Sequence, residues 1–351
     1  YPTGTDNVAL GNTALDSVQA GGNYNVAIGN SAGTAITTAD KNTAIGAFAL
    51  DANTTANENT AVGHESLTTN TTGGGLTALG EGSLACNTTG SSNTAVGRSA
   101  LCANTTGAQN TAVGQSSLLA NTEGHSIVAL GYEALAANTT AAYNVAIGHR
   151  SLKTNTTGSF NVAVGRQALC KNTTATSNTA IGTSVLFSNT TGACNTGLGI
   201  SALYANTTGA NNVAVGALAL DANTTASNNT ALGYAALTDN TTGSGNVAVG
   251  ISALQKNTTA GSNAAIGCLA LYSNTTGAEN TAVGRSALQE NTTGTENVAV
   301  GKGALDSNTT AGCNTSIGHG SMGDNTTGAN NVALGRNALG SNTTGDSNTA
   351  V

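Results

Sequence analysis

Small and apolar residues recur along this chain with a period of seventeen. Residues 93–109 read NTAVGRSALCANTTGAQ, and the next unit opens NTAVGQSSLLANTEGHS. From residue 42 to residue 351 no insertion or deletion interrupts the period. Counted from the leading residue, position 1 is nearly always Asn, position 3 nearly always Ala, and position 4 always Val, Ile or Leu. Position 5 is always Gly, and position 9 is Leu except at Gly33 and Met322. Seventeen residues are too few for two helices and a turn, which helical repeats build from about 33 or more. A Gly at position 5 of every unit also disfavours a helix there. What remains is one coil of a solenoid with NTAVG as its strand. The pattern predicts an all-β fold, a parallel β-solenoid (β-roll) of about twenty coils. Like side chains would stack at about 4.7–4.8 Å, giving a length on the order of 95 Å.

Residues 1–41 are looser: Asn7 to Asn25 spans eighteen residues, and neither early unit contains NTT. They read as N-terminal capping or attachment coils, with uninterrupted repeats over 42–351. The first residue is Tyr1 and the last four are NTAV, part-way into a unit, so a processed or partial chain is expected.

Parity along the strand puts positions 2 and 4 on one face and 1, 3 and 5 on the other. Both faces are restricted in residue type, and a strand restricted on both faces is usually buried on both. A thin coil has one interior, so the second face is expected to pack on another chain, giving a homo-oligomer and most simply a trimer of parallel chains. The alternative is a lone solenoid whose tight turning demands small residues. Variation concentrates in positions 6, 7, 10, 11, 16 and 17. From residue 42 these hold every Lys, Arg, His, Asp, Phe, Tyr and Cys. Those columns read as solvent-facing corners.

Composition narrows the function classes. The net charge is −7 and only 8% of residues are charged, with no basic stripe for nucleic acid or anionic lipid. No run of about eighteen apolar residues suggests a membrane span.

The pentapeptides NVAIG (25–29, 144–148), NVAVG (161–165, 246–250) and NTAVG (93–97) resemble the head repeats of YadA-type trimeric autotransporter adhesins. The wider unit is similar to NTAxGxxALxxNTTG arrays in phage and bacterial fibre proteins. The resemblance implies a left-handed roll, three chains about an axis, and an extracellular fibre at a cell or virion surface. The chain departs from the adhesin heads in its period and in the added NTT.

Position 12 is Asn in eighteen consecutive units, followed by Thr-Thr in all but one; the exception is Glu123 after Asn121 and Thr122. Asn-x-Ser/Thr is an acceptor for N-linked sugar in secreted glycoproteins. The candidates are Asn53, Asn70, Asn87, Asn104, Asn138, Asn155, Asn172, Asn189, Asn206, Asn223, Asn240, Asn257, Asn274, Asn291, Asn308, Asn325 and Asn342. If positions 12–14 are extended, the Asn and second Thr are displayed together and the first Thr stacks inward. Asn-Thr-Thr-Gly is equally a good turn, and both readings stay open. Position 1, which almost never forms a sequon, reads as an inward Asn ladder.

Other chemistry is sparse. Of six cysteines only Cys86 and Cys102 lie on adjacent coils, as a candidate disulfide; isolated thiols or links between chains are the alternative. No Cys/His spacing suggests a metal site, the repeated calcium-binding pattern is absent, and no cofactor is expected beyond covalent glycans. His64, His125, His149 and His319 are scattered, so no enzyme is expected. Corner aromatics such as Phe48, Tyr132, Phe160, Tyr204 and Tyr272 are candidate contacts for sugars or a neighbouring fibre. The leading functional expectation is the shaft of an extracellular filament whose main partner is itself. An adhesin or phage-type tail fibre binding host glycans follows, and then an ice-binding face made of the Asn of position 12 and the Thr of position 14.

Overall fold

The computed structural model describes residues 4–351. It is all-β: twenty-one short parallel strands run from Val8–Leu10 (β1) to Thr349–Ala350 (β21), forming a β-solenoid of about twenty turns. Among the described residues there is no helix. The chain divides into two compact units, Tyr1–Ser177 and Asn178–Val351. Within each, the strands cover positions 2–4 of the repeat and pair with the same positions one coil away. Ala44 sits opposite Ala61 in the first unit, and Ala231 opposite Ala248 in the second.

The looser N-terminal segment belongs to the same stack. β1 pairs with Val26–Ile28 (β2) at a step of eighteen, Val8 against Val26, and β2 pairs with Thr43–Ile45 (β3) at a step of seventeen. The extra residue is absorbed after Gln19. The Gln19 N–H reaches Thr37, and the turn closes with the Gly22 N–H donating to the Gln19 carbonyl at 3.1 Å. The strand register is untouched.

Turning a coil in so few residues needs sharp bends. Position 5 has φ values that only Gly tolerates: Gly97 is at 129°, and a Cβ there would lie 2.7 Å from the Gly114 carbonyl carbon. Positions 7, 9 and 17 are also left-handed, yet most carry ordinary side chains. Ser99, Leu101 and Gln109 have φ of 56°, 53° and 61°. Each such bend costs roughly 1–2 kcal/mol. It is held by a hydrogen bond to a neighbouring coil: Ser99 N–H to Glu81, Leu101 N–H to Ser117, and Gln109 N–H to Ser91, at 2.9–3.1 Å. The left-handed bend at position 9 also turns the Leu side chain inward, where Leu101 and Leu118 are fully buried.

The interior consists of Ala at position 3, Ala or Ser at position 8, Leu at position 9, and the Asn of positions 1 and 12, all at or near zero exposure. Packing is tight enough that exceptions compensate one another. Val185 is the one large residue at position 8, and the following coil carries Gly197 where Ala is the rule. A Cβ on Gly197 would lie 2.4 Å from the Val185 Cγ1. Similarly, Gly33 replaces the Leu of position 9 beside Ile36, which fills the position-12 slot. A Cβ on Gly33 would lie 3.0 Å from the Ile36 Cδ1.

Candidate functional site

The two faces of the strand differ. Asn and Ala at positions 1 and 3 point inward. Positions 2 and 4, which are Thr or Val and Val, Ile or Leu in nearly every coil, face outward. Leu79 is 36% exposed, Leu198 44%, Leu232 47% and Ile266 43%. No charged residue occupies either column from Thr43 onward. With a strand spacing of about 4.8 Å and a face roughly 9 Å wide, ten coils present on the order of 400 Å² of continuous surface. The largest apolar patch on an ordinary monomer is of that order and is often functional.

The NTT rank is placed differently from the parity expectation. The candidate asparagines Asn53, Asn70, Asn87, Asn104, Asn138, Asn155, Asn172, Asn189, Asn206, Asn223, Asn240, Asn257, Asn274, Asn291, Asn308 and Asn325 are buried to zero exposure, and Asn342 is half-buried. Their amides form a ladder. Asn87 Nδ2 donates to Asn70 Oδ1 at 2.8 Å and to its own coil's Gly90 carbonyl at 3.0 Å. Asn104 repeats this to Asn87 at 2.7 Å and to Gly107 at 2.9 Å. Both amide hydrogens are used, and the nitrogen that would carry a sugar is inside the coil. The expected display of Asn with the second Thr is therefore corrected: the chain bends through positions 12–14, and strand parity does not apply there. The first Thr does form a ladder, with Thr88 Oγ1 donating to the Thr105 carbonyl at 3.1 Å, but half-buried and not in the interior. Only the second Thr is exposed, as at Thr106. The exceptional Asn121 joins the same ladder, bonding Asn104 at 2.9 Å and accepting from Asn138 at 2.8 Å, while Glu123 points to solvent. The ladder is indifferent to the sequon hydroxyl. The ice-binding arrangement, which needed the same Asn on a bare face, loses it for the same reason.

Position 1 forms the inward ladder expected of it, and the two ranks share an acceptor. Asn59 and Asn70 both donate to the Gly73 carbonyl, at 3.1 and 2.9 Å. Position-1 side chains also cap the next coil: Asn42 Oδ1 accepts the Asn59 N–H at 3.0 Å. This rank is broken twice, at Leu76 and Ile127. Both are 1% exposed, and neither has an acceptor to offer the main-chain N–H of Asn93 or Asn144.

Corner side chains pair between coils. Arg150 and Lys153 reach Glu133 at 2.8 and 2.7 Å. The hydrogen bond from Lys153, against a smaller burial effect, brings the Glu133 carboxyl down to about 2, with Arg150 and Tyr132 adding to the shift. Tyr143 stacks on Phe160, and Phe187 on Tyr204, with centroids 5.2 Å apart and planes within 8°. Stacking covers one face of each ring, and Phe160, at 60% exposure, keeps its other face open to solvent. Cys86 N–H donates to the Cys102 carbonyl at 2.9 Å, and both cysteines are free. Burial, with Cys86 beside it, pushes the Cys102 thiol up.

One open polar notch of about 570 Å³ lies in the second unit, where Gly303, Gly320, Gly323 and Gly340 thin the corners. Lys302, Asp306, His319 and Asp324 line it. Burial raises the Asp306 carboxyl above its usual range, against a lowering hydrogen bond from Ser307, and the charge of Asp324 adds to the rise. Among the described residues no group of three or more His, Cys, Asp or Glu is placed to hold a metal ion. A search against protein-family models returned no match to this chain, and neither did a search of curated proteins.

Proposed function

We propose that this chain is the structural shaft of an extracellular filament or fibre, in which copies associate along the outer strand face as a homotrimer. The observation that carries the reading is the pair of uncharged columns at positions 2 and 4. They repeat in every coil and stay half-buried to exposed, outside an interior formed by other columns. A solvated face would tolerate charge, as the corners do. Aliphatic columns at fixed spacing suit burial against an identical surface, because the same repeat supplies both partners in register. The likeness of NVAIG and NTAVG to YadA-type head repeats supports both the trimer and the extracellular setting. A shaft that also binds host glycans is the second reading. The corner aromatics would serve it through the ring faces that stacking leaves open.

Native mass spectrometry of the chain at micromolar concentration tests the proposal, with a trimer as the expected species. Replacing Leu198, Val215 and Leu232 together by Lys is expected to give a monomer with an unchanged circular-dichroism spectrum. A monomeric unmodified chain would overturn the reading.

A further inference from the structure

The two breaks in the position-1 ladder carry different corner contacts. At the second break, between the coils beginning at Ile127 and Asn144, the surface supplies a bridge. Arg150 and Lys153 of one coil hold Glu133 of the other, Tyr132 stacks on His149, and Tyr143 stacks on Phe160. At the first break, between the coils beginning at Leu76 and Asn93, no ion pair is in place. That junction holds the one pair of cysteines on adjacent coils. Cys86 is exposed and Cys102 half-buried, their backbones joined by a 2.9 Å hydrogen bond. Neighbouring coils so bonded bring their Cα atoms into the roughly 4.4–6.8 Å range that a disulfide spans. The flanking corner residues Ala85 and Ala103 are small and leave the sulfurs room.

We propose that Cys86 and Cys102 are a modification site: they oxidise to an intrachain disulfide that staples the two coils across the first break in the asparagine ladder. The oxidant is a low-molecular-mass disulfide of the oxidised-glutathione class. The exposed Cys86 thiolate attacks one of its sulfurs and expels one thiolate, leaving a mixed disulfide. Cys102 then loses its proton to water and its thiolate attacks the Cys86 Sγ, expelling the second. Two protein thiols become one disulfide, and one oxidised molecule becomes two reduced ones. The other four cysteines have no such partner: Cys194 and Cys313 share a column seven coils apart, Cys170 is buried, and Cys268 is alone in its column.

The sequence makes the product easy to read. Trypsin cleaves at Lys41, Arg98 and Arg150 and nowhere between them, so Cys86 falls alone on peptide 42–98 and Cys102 alone on 99–150. The full chain is incubated with oxidised glutathione, its remaining thiols are alkylated under denaturing conditions, and it is digested without reduction. The expected result is one linked species of 42–98 with 99–150 from a chain about 2 Da lighter and still one polypeptide on a non-reducing gel. Cys86→Ser and Cys102→Ser each abolish it. Hydrogen exchange at the Asn93 amide slows on oxidation, and slows less in Leu76→Asn, where the ladder is whole. Alkylated Cys86 and Cys102, persistent glutathione adducts, or a link between chains would each overturn the proposal.

Discussion

The N-terminal coils and the coils after residue 42 fill the same interior slot in opposite ways. At position 12 the early coils carry Val18 and Ile36, both buried, whereas the later ones carry Asn, as at Asn87 and Asn104 with both amide hydrogens engaged. The larger Ile36 needs room, and Gly33 gives up the position-9 side chain to provide it, whereas the smaller Val18 sits in a coil that keeps Leu15. The amide solution keeps the Leu at position 9 but depends on both neighbouring coils, since each Asn is donor to one and acceptor from the other. An apolar slot can therefore stand alone, while an amide slot works only in a series. That explains why the position-12 Asn comes as an unbroken run and not as scattered occurrences.

Exchanging one solution for the other should have the largest effect. Asn104→Ile strands Asn87 Oδ1 and an Asn121 N–H and crowds Leu101, so a loss of about 4–5 kcal/mol is expected in urea unfolding. Adding Leu101→Gly, to copy the Gly33 and Ile36 pair, should return roughly 1–2 kcal/mol by relieving the crowding. No recovery would mean that the early pair is not a volume exchange. Asn104→Ala breaks the same ladder without crowding, and about 2–3 kcal/mol is expected.

A smaller effect is expected at Ile127, an apolar residue inside a run of amides. The Glu133 carboxyl is lowered in the folded chain from 4.5 to about 2, so its contribution is present above the unfolded value and lost as pH falls through that window. The difference in melting temperature between the unmodified chain and Glu133→Gln should be constant near neutrality and shrink toward zero as acid reaches about pH 2. A difference that grows in acid would contradict the ion pair. The smallest effect is expected outside the slot altogether. Thr106→Glu copies Glu123 at an exposed site and should change stability by less than about 0.5 kcal/mol.

Much of this was legible in the sequence, because stacking forces each column to repeat its own residue type. The period, the strand at NTAVG, the inward Asn of position 1, the Leu of position 9 and the variable corners all follow from that. The orientation of the position-12 Asn did not follow. Parity holds only along extended backbone, and NTT is bent. The left-handed bends at Leu101 and Ser99 left no trace either, since neither residue type advertises positive φ. The compensation of Val185 by Gly197 was not read from the sequence, because only the stacking of coils shows that they touch.

The turn after Gln19 bears on how such a gene can change. A single added residue is tolerated there because it falls outside the strand and between two hydrogen-bonded registers. Inside a later coil, the same insertion would shift both asparagine ranks against the carbonyl they share, and everything downstream would lose its partners. A block of seventeen meets no such penalty, because each coil presents to its neighbour the same donors and acceptors that the neighbour presents in turn. Length is thus free to evolve in whole coils by duplication or loss of a repeat, while frame within the coil is held fixed.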